Sequence, residues 1–251
     1  MIVDINAFAG HWPGLAARSD AGSVRGSLTA LGVDAIFMSP LDVAWSRNAR
    51  RANPIVYEAA DRFPDVFPVP VLDPTVAGWR KELAQAAAHP RVRMVKLLPA
   101  YGPYGLEAAD ELLAAVARAR LAVLIQTRME DPRSQHPLAQ VPDLPAPAVA
   151  DAARRHPDLT VIIGGGATWV IRDVGGALRE LPNLYAEVAQ ADGIDCIKGL
   201  AAVGLTGKLL FGSHAPLFVP WSALARVVLD LNDEDAAAVL GGNAVRALNL
   251  H

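Results

Sequence analysis

Apolar runs of at most seven residues recur along the chain, at residues 2–6, 35–39, 67–73, 92–98, 122–127, 160–164, 184–188 and 208–213. Short runs without polar alternation, several rich in Val and Ile, predict strands buried on both faces. Between them lie Ala/Leu/Arg/Glu-rich stretches, at residues 76–88, 107–118, 148–155 and 177–181, that predict helices. Prolines punctuate the junctions, as in His89-Pro90, His156-Pro157 and Leu181-Pro182. Eight strands alternating with helices imply parallel pairing through right-handed crossovers. Eight such units in 251 residues predict an α/β protein, a single (β/α)8 TIM barrel spanning residues 1–251. An open doubly wound sheet is the alternative, but no GxGxxG follows the first strand and there is no P-loop. The cluster Gly164-Gly165-Gly166 lacks that spacing, and close backbone approach explains it equally well. No linker, repeat or low-complexity tract interrupts the pattern. One long irregular segment, residues 130–147, carries five prolines, and loops of that length are commonly functional.

Composition narrows the function. The chain is 52% hydrophobic and only 20% charged, with 23 basic and 26 acidic residues for a net charge of −3. Together with a pI near 6.1, this argues against a nucleic-acid partner, which needs basic patches. Mean hydropathy is +0.25, yet no window of about 18 apolar residues predicts a membrane span. The opening Met1-Ile2-Val3-Asp4 lacks a basic region and reads as a strand, not a signal peptide. A single cysteine, Cys196, excludes an internal disulfide and fits a cytoplasmic location, with the thiol a buried packing group.

In a barrel the chemistry sits at the C-terminal strand ends. Those positions hold Asp4, Asn6, Ser39, Asp73, Lys96, Gln126 with Arg128 and Glu130, Gly164, Glu187, Ser213 and His214. Gln126, Arg128 and Glu130 share a direction if the fifth strand extends that far. Lys96, between Val95 and Leu97, is expected to point inward and meet an anion, either a substrate or a structural partner such as Asp4 or Glu187. His214 is a candidate acid, base or metal ligand. His136, in the long loop, is placed to fold over the mouth, and Trp12, Tyr101, Tyr104 and Phe218 to wall a pocket. His11, His89, His156 and His251 carry no expected role.

Three stretches carry a family resemblance: Ile2-Val3-Asp4-Ile5-Asn6-Ala7-Phe8, Val95-Lys96-Leu97-Leu98-Pro99-Ala100-Tyr101, and Leu210-Phe211-Gly212-Ser213-His214-Ala215-Pro216 followed by Gly242-Asn243-Ala244-Val245-Arg246-Ala247-Leu248. Together they resemble the amidohydrolase superfamily, specifically the amidohydrolase-related family of metal-dependent hydrolases, decarboxylases and a pyrone-dicarboxylate lactonase. The resemblance implies a TIM barrel and an opening Asp-x-His-x-His. Here Asn6 and Phe8 stand at the two histidines, Gln126 at the strand-five histidine, the glycine cluster near strand six, and His214 at the strand-eight aspartate. Phenylalanine and glycine provide no ligand and amides poor ones, so the usual metal centre is not expected. Residues 128–138 and the Gly10-His11-Trp12-Pro13 element resemble an uncharacterised branch with the same departures.

Three functions fit. The first is a metal-independent hydrolase or decarboxylase of a small anionic carbonyl compound, a lactone, amide or ester, with no cofactor. Its catalytic residues are His214, Lys96, Glu130 and Asp4, and Asn6, Gln126, Arg128, His136, Trp12 and Tyr101 bind substrate. The second rebuilds a site for one divalent metal such as zinc from His214, Glu130 and His136 with Asp4. The third is a non-catalytic barrel that binds a small molecule. Loop aromatics and the apolar excess are compatible with a homodimer.

Overall fold

The computed structural model describes residues 1–102 and 104–250; His251 lies outside them. All eight expected strands are present in order: β1 (Val3–Ala9), β2 (Ala35–Pro40), β3 (Val66–Pro68), β4 (Met94–Leu97), β5 (Ala122–Gln126), β6 (Val161–Gly164), β7 (Leu184–Glu187) and β8 (Leu209–Leu210). Every neighbouring pair is parallel, in the orders β1-β2-β3 and β4-β5-β6-β7-β8.

Backbone hydrogen bonds close both seams into one barrel. Between β3 and β4, Lys96 N–H donates to Pro70 O at 2.9 Å and Leu72 N–H to Lys96 O at 2.9 Å. Between the segment after β8 and β1, Ile5 N–H donates to Phe211 O at 3.0 Å and His214 N–H to Asn6 O at 2.9 Å. Two strands are shorter than the apolar runs predict. Pro68 and Pro70 lack N–H groups, so the run over 67–73 pairs only intermittently. Beyond Leu210 the chain leaves β7, with Phe211 N–H donating to Val239 O and the remaining bonds running to β1, so the ladder stops there.

The helices hold their expected places with shifted starts. The 76–88 stretch is helical over Trp79–Ala88, because Asp73 Oδ1 accepts from both Thr75 N–H and Oγ1–H and sets a turn first. The others run Leu106–Ala109 as a 3₁₀ turn, Asp110–Arg118, Ala146–Arg155 and Gly175–Glu180. Cys196 is buried, as expected. No helix among the described residues is long and apolar enough to cross a membrane.

The period-two alternation of strands sorts the barrel interior into layers. A lower apolar layer holds Val3, Ile5, Phe37, Met94, Leu124, Ile162 and Leu210, closed beneath by Ala244, Ala247 and Leu248. Two residues further along, the same strands present Ser39, Lys96, Gln126, Gly164, Glu187 and Gly212. In β1 the register shifts between Asp4 and Ala7, so Asn6, rather than Ala7, reaches that second layer. A third layer, apolar again, contains Phe8, Trp12, Leu41, Val43, Leu98, Tyr101 and Met129.

Candidate active site

The polar layer is organised around Asn6. Its Oδ1 accepts from Lys96 Nζ at 2.6 Å, and its Nδ2 donates to Glu187 Oε1 at 2.8 Å. Gln126 Oε1 lies 3.3 Å and His214 Nδ1 3.4 Å from the same nitrogen. Lys96 therefore points inward, as expected, but meets an amide oxygen. No carboxylate stands within ion-pair distance among the described residues, which corrects the expected structural ion pair with Asp4 or Glu187. Its Nζ also sits 3.8 Å from the centre of the Phe8 ring, a cation–π contact that partly offsets lost hydration.

Burial governs the titration of every group here. Lys96 has no exposed surface, and desolvation lowers its pKa to about 7 against the opposing charges of Glu187 and Asp4. His214 is pushed down to about 3, first by burial and then by the Lys96 charge. Glu187 is raised by burial, although it accepts from the N–H groups of Ala189 at 2.6 Å and Gly165 as well as from Asn6. Asp4 is also raised by burial, opposed by its bonds to Ser213 and Asn6. Its Oδ1 accepts from Asn6 N–H and Ser213 N–H, both at 3.0 Å, and ties β1 to the strand-eight segment. Its Oδ2 is buried without a hydrogen-bond partner.

His214 Nε2 lies 2.8 Å from Met129 O. A carbonyl only accepts, so Nε2 carries the proton and Nδ1 faces Asn6. Phe8 meets the imidazole edge-on at 4.9 Å and Phe218 covers it at 5.1 Å. Gln190 Nε2 is 3.4 Å from His214 Nε2 and donates to the carbonyls of Arg128 and Met129 at 3.1 and 3.3 Å.

Other expected site residues lie outside this centre. β5 ends at Gln126, whose Nε2 donates to Arg128 O at 2.7 Å, so Gln126, Arg128 and Glu130 do not share a direction. The Arg128 side chain turns to Asp143, with Nε 2.8 Å from Oδ2. Glu130 accepts from Trp12 Nε1 at 2.9 Å. Trp12, Trp45 and Tyr101 pack edge-to-face with centroids 5.3 to 6.0 Å apart. Trp12, Trp45, Glu130 and His136 border a cavity of about 520 Å³, while His136 is exposed and its Nδ1 accepts from Leu138 N–H. His214, Glu130, His136 and Asp4 are therefore not gathered into one ligand set. The sequence names Glu187 as a strand-end position and a partner for Lys96, but gives no sign of Gln190, because loop residues carry no strand-end signal.

The side chains at the centre are engaged with one another: Asn6 is committed to Lys96 and Glu187, Phe8 offers only a ring, and the Lys96 amine lies against both. A side chain at position 164 would meet Leu124 and Gln126 Oε1, and one at 165 would meet Arg128 O and Gln126 Nε2. Among the described residues no three His, Cys, Asp or Glu side chains stand where they share an ion.

A family model described as amidohydrolase matches residues 27–250. Comparison with curated proteins returned no match. Among solved structures, the chain is similar to an uncharacterised TIM-barrel protein from Bordetella bronchiseptica at 18% identity and TM-score 0.72, covering 99% of this chain and 98% of that one. It is similar to a probable 2-pyrone-4,6-dicarboxylic acid hydrolase from Acinetobacter baumannii, with citric acid bound, at 14% identity, TM-score 0.70 and 99% of each chain. A 5-carboxyvanillate decarboxylase from Novosphingobium aromaticivorans, complexed with manganese and 4-hydroxy-3-methoxy-5-nitrobenzoic acid, matches at 14% identity and TM-score 0.69, over 92% of this chain and 81% of that one.

Proposed function

The chain belongs to the amidohydrolase family, and on that premise we propose that it is a hydrolase of a small anionic carbonyl compound, a lactone, amide or ester, that works without a divalent ion. The observation that carries this reading is Lys96: a fully buried amine, paired with an amide instead of a carboxylate, at the strand ends where barrel chemistry resides. Decarboxylation of a related acid is the neighbouring alternative within the same reading, since solved structures of similar fold include decarboxylases acting on aromatic acids.

A lysine whose pKa falls to about 7 exchanges protons in the neutral range, where general acid–base catalysis is most effective. As a neutral amine, Lys96 takes a proton from water while the resulting hydroxide adds to the substrate carbonyl. As an ammonium, it returns that proton to the departing oxygen or nitrogen. His214, with its pKa near 3, stays neutral at physiological pH. Its one N–H is held by Met129 O, so it positions Asn6 and the loop rather than carrying protons. Asp4 is likewise a positioning residue. Lys96 lies against the Phe8 ring with no exposed surface, so substrate access requires that ring to move.

The test is a screen of small lactones, amides and esters of carboxylic acids in the presence of chelator, and again with added manganese or zinc. Turnover in chelator that rises through pH 7 and disappears in Lys96→Met supports the proposal. Turnover only with metal overturns it. A second reading rests on the complete burial of the centre and the separate cavity of about 520 Å³ bordered by Trp12 and Trp45: a non-catalytic barrel whose small-molecule ligand binds there. Ligand binding untouched by Lys96→Met, with no turnover, favours that reading.

A further inference from the structure

A second cavity, of about 330 Å³, lies between the long loop after β5 and the helix Pro220–Asp230, bordered by Arg128, Arg133, Gln190, Asp192, Phe218 and Arg226. Two of its walls are shared with the centre. Gln190 stands 3.4 Å from His214 Nε2 and the Phe218 ring lies 5.1 Å from the imidazole. The cavity is thus the chamber directly outside the polar layer.

Its three arginines are not equivalent. Arg128 is bound to Asp143, with Nε at 2.8 Å, and Arg133 to Asp131, with Nε at 2.9 Å and an NH2 contact of 2.7 Å. Arg226 donates one bond, NH2 to Ala189 O at 2.9 Å, and has no carboxylate partner among the described residues. Its Nε is buried with no hydrogen-bond partner. The remaining charge on the wall, Asp192, accepts from Thr168 N–H at 3.4 Å.

We propose that Arg226 is the carboxylate-binding group of this chamber, holding the acid end of a substrate whose second carbonyl faces Gln190, Phe218 and the Lys96 centre behind them. The inference deepens the hydrolase reading and rests on it for the role of the second carbonyl. The ligand class is a short dicarboxylate, or a monocarboxylate with a nearby lactone, ester or amide. A guanidinium that borders the cavity without a protein carboxylate suits this acceptor, because its planar charged fork matches carboxylate geometry.

Calorimetric titration with succinate and with glutarate tests the site without requiring turnover. Wild type is expected to bind at least one of them, Arg226→Gln to bind roughly tenfold more weakly or not at all, and Arg226→Lys to recover part of the loss. Arg154→Gln, which removes a guanidinium outside the chamber that is paired with Asp151, should bind like wild type. Thermal melts of each variant separate lost binding from lost folding. No binding by folded wild type, or equal binding by folded Arg226→Gln, overturns the site. Binding lost in Arg226→Gln but with no hydrolysis of any tested compound keeps the site and sinks the hydrolase reading. Hydrolysis with unchanged KM in Arg226→Gln sinks the site and keeps the enzyme.

Discussion

Replacing Lys96 by Met keeps an unbranched side chain, one atom shorter, while removing the buried amine and its contact with the Phe8 ring. In the folded chain Lys96 titrates at about 7 against 10.5 unperturbed. The unfolded state therefore binds more protons between these values, and stability must rise with pH across that window. The whole penalty, about 3.5 pKa units or on the order of 5 kcal/mol, is present below pH 7 and relieved only as the solution becomes more alkaline. Between pH 6 and 9 the wild type should gain about 2.5 kcal/mol relative to Lys96→Met. Asp4 and Glu187 lose their neighbouring cation in the variant and are raised further, which adds to the difference with the same sign. The variant also leaves Asn6 Oδ1 without its donor, a loss that does not depend on pH. Urea unfolding at pH 6, 7, 8 and 9, followed by circular dichroism, reads the difference directly. Parallel stability curves for the two proteins would refute the assignment of a desolvated, titrating amine at the barrel axis.

Two further substitutions probe the same layer. Gly165→Ala places a Cβ at φ +74° against Arg128 O and Gln126 Nε2, and should lower stability by about 2–3 kcal/mol in thermal melts; an unchanged melt would mean that loop is not held there. Glu187→Gln removes the leading charge that raises Lys96, so the lysine should titrate below 7 and the pH profile of turnover should move to the acid side, visible in initial rates from pH 5 to 9. The same change turns an acceptor of three donors into an amide facing two backbone N–H groups, and should cost about 2–4 kcal/mol in chemical denaturation.

The barrel was legible because each apolar run is buried on both faces, and the strand-end positions followed from alternation: Lys96, Gln126 and Glu187 each stand two residues beyond a core side chain. Asn6 falls in that layer for a different reason. The irregularity in β1 moves it there, and nothing in Ile5-Asn6-Ala7 signals a bulge. Arg128 and Glu130 could not be placed because β5 stops at Gln126, where Thr127 turns back with N–H and Oγ1–H both on Gly164 O. The partner of Arg128 lies 15 residues on, at Asp143, a pairing that side-chain chemistry permits but spacing does not specify. Arg226, the one arginine of the helix Pro220–Asp230, carries no signal until its place on the cavity wall without a carboxylate partner is seen.

The amide at position 6 has a direction: its oxygen end faces an ammonium and its nitrogen end a carboxylate. Aspartate would turn the donor toward Glu187 into a repelling acceptor, and histidine would set a ring between groups spaced for a planar amide. At the neighbouring stations, a side chain on residue 164 is refused by Leu124 and Gln126, and an imidazole at 8 would forfeit the face that shelters Lys96. No single substitution leads from this arrangement to a histidine-rich one without passing through a buried mismatch. The centre is thus mutually constrained: each residue fixes the polarity and shape that its neighbours must present.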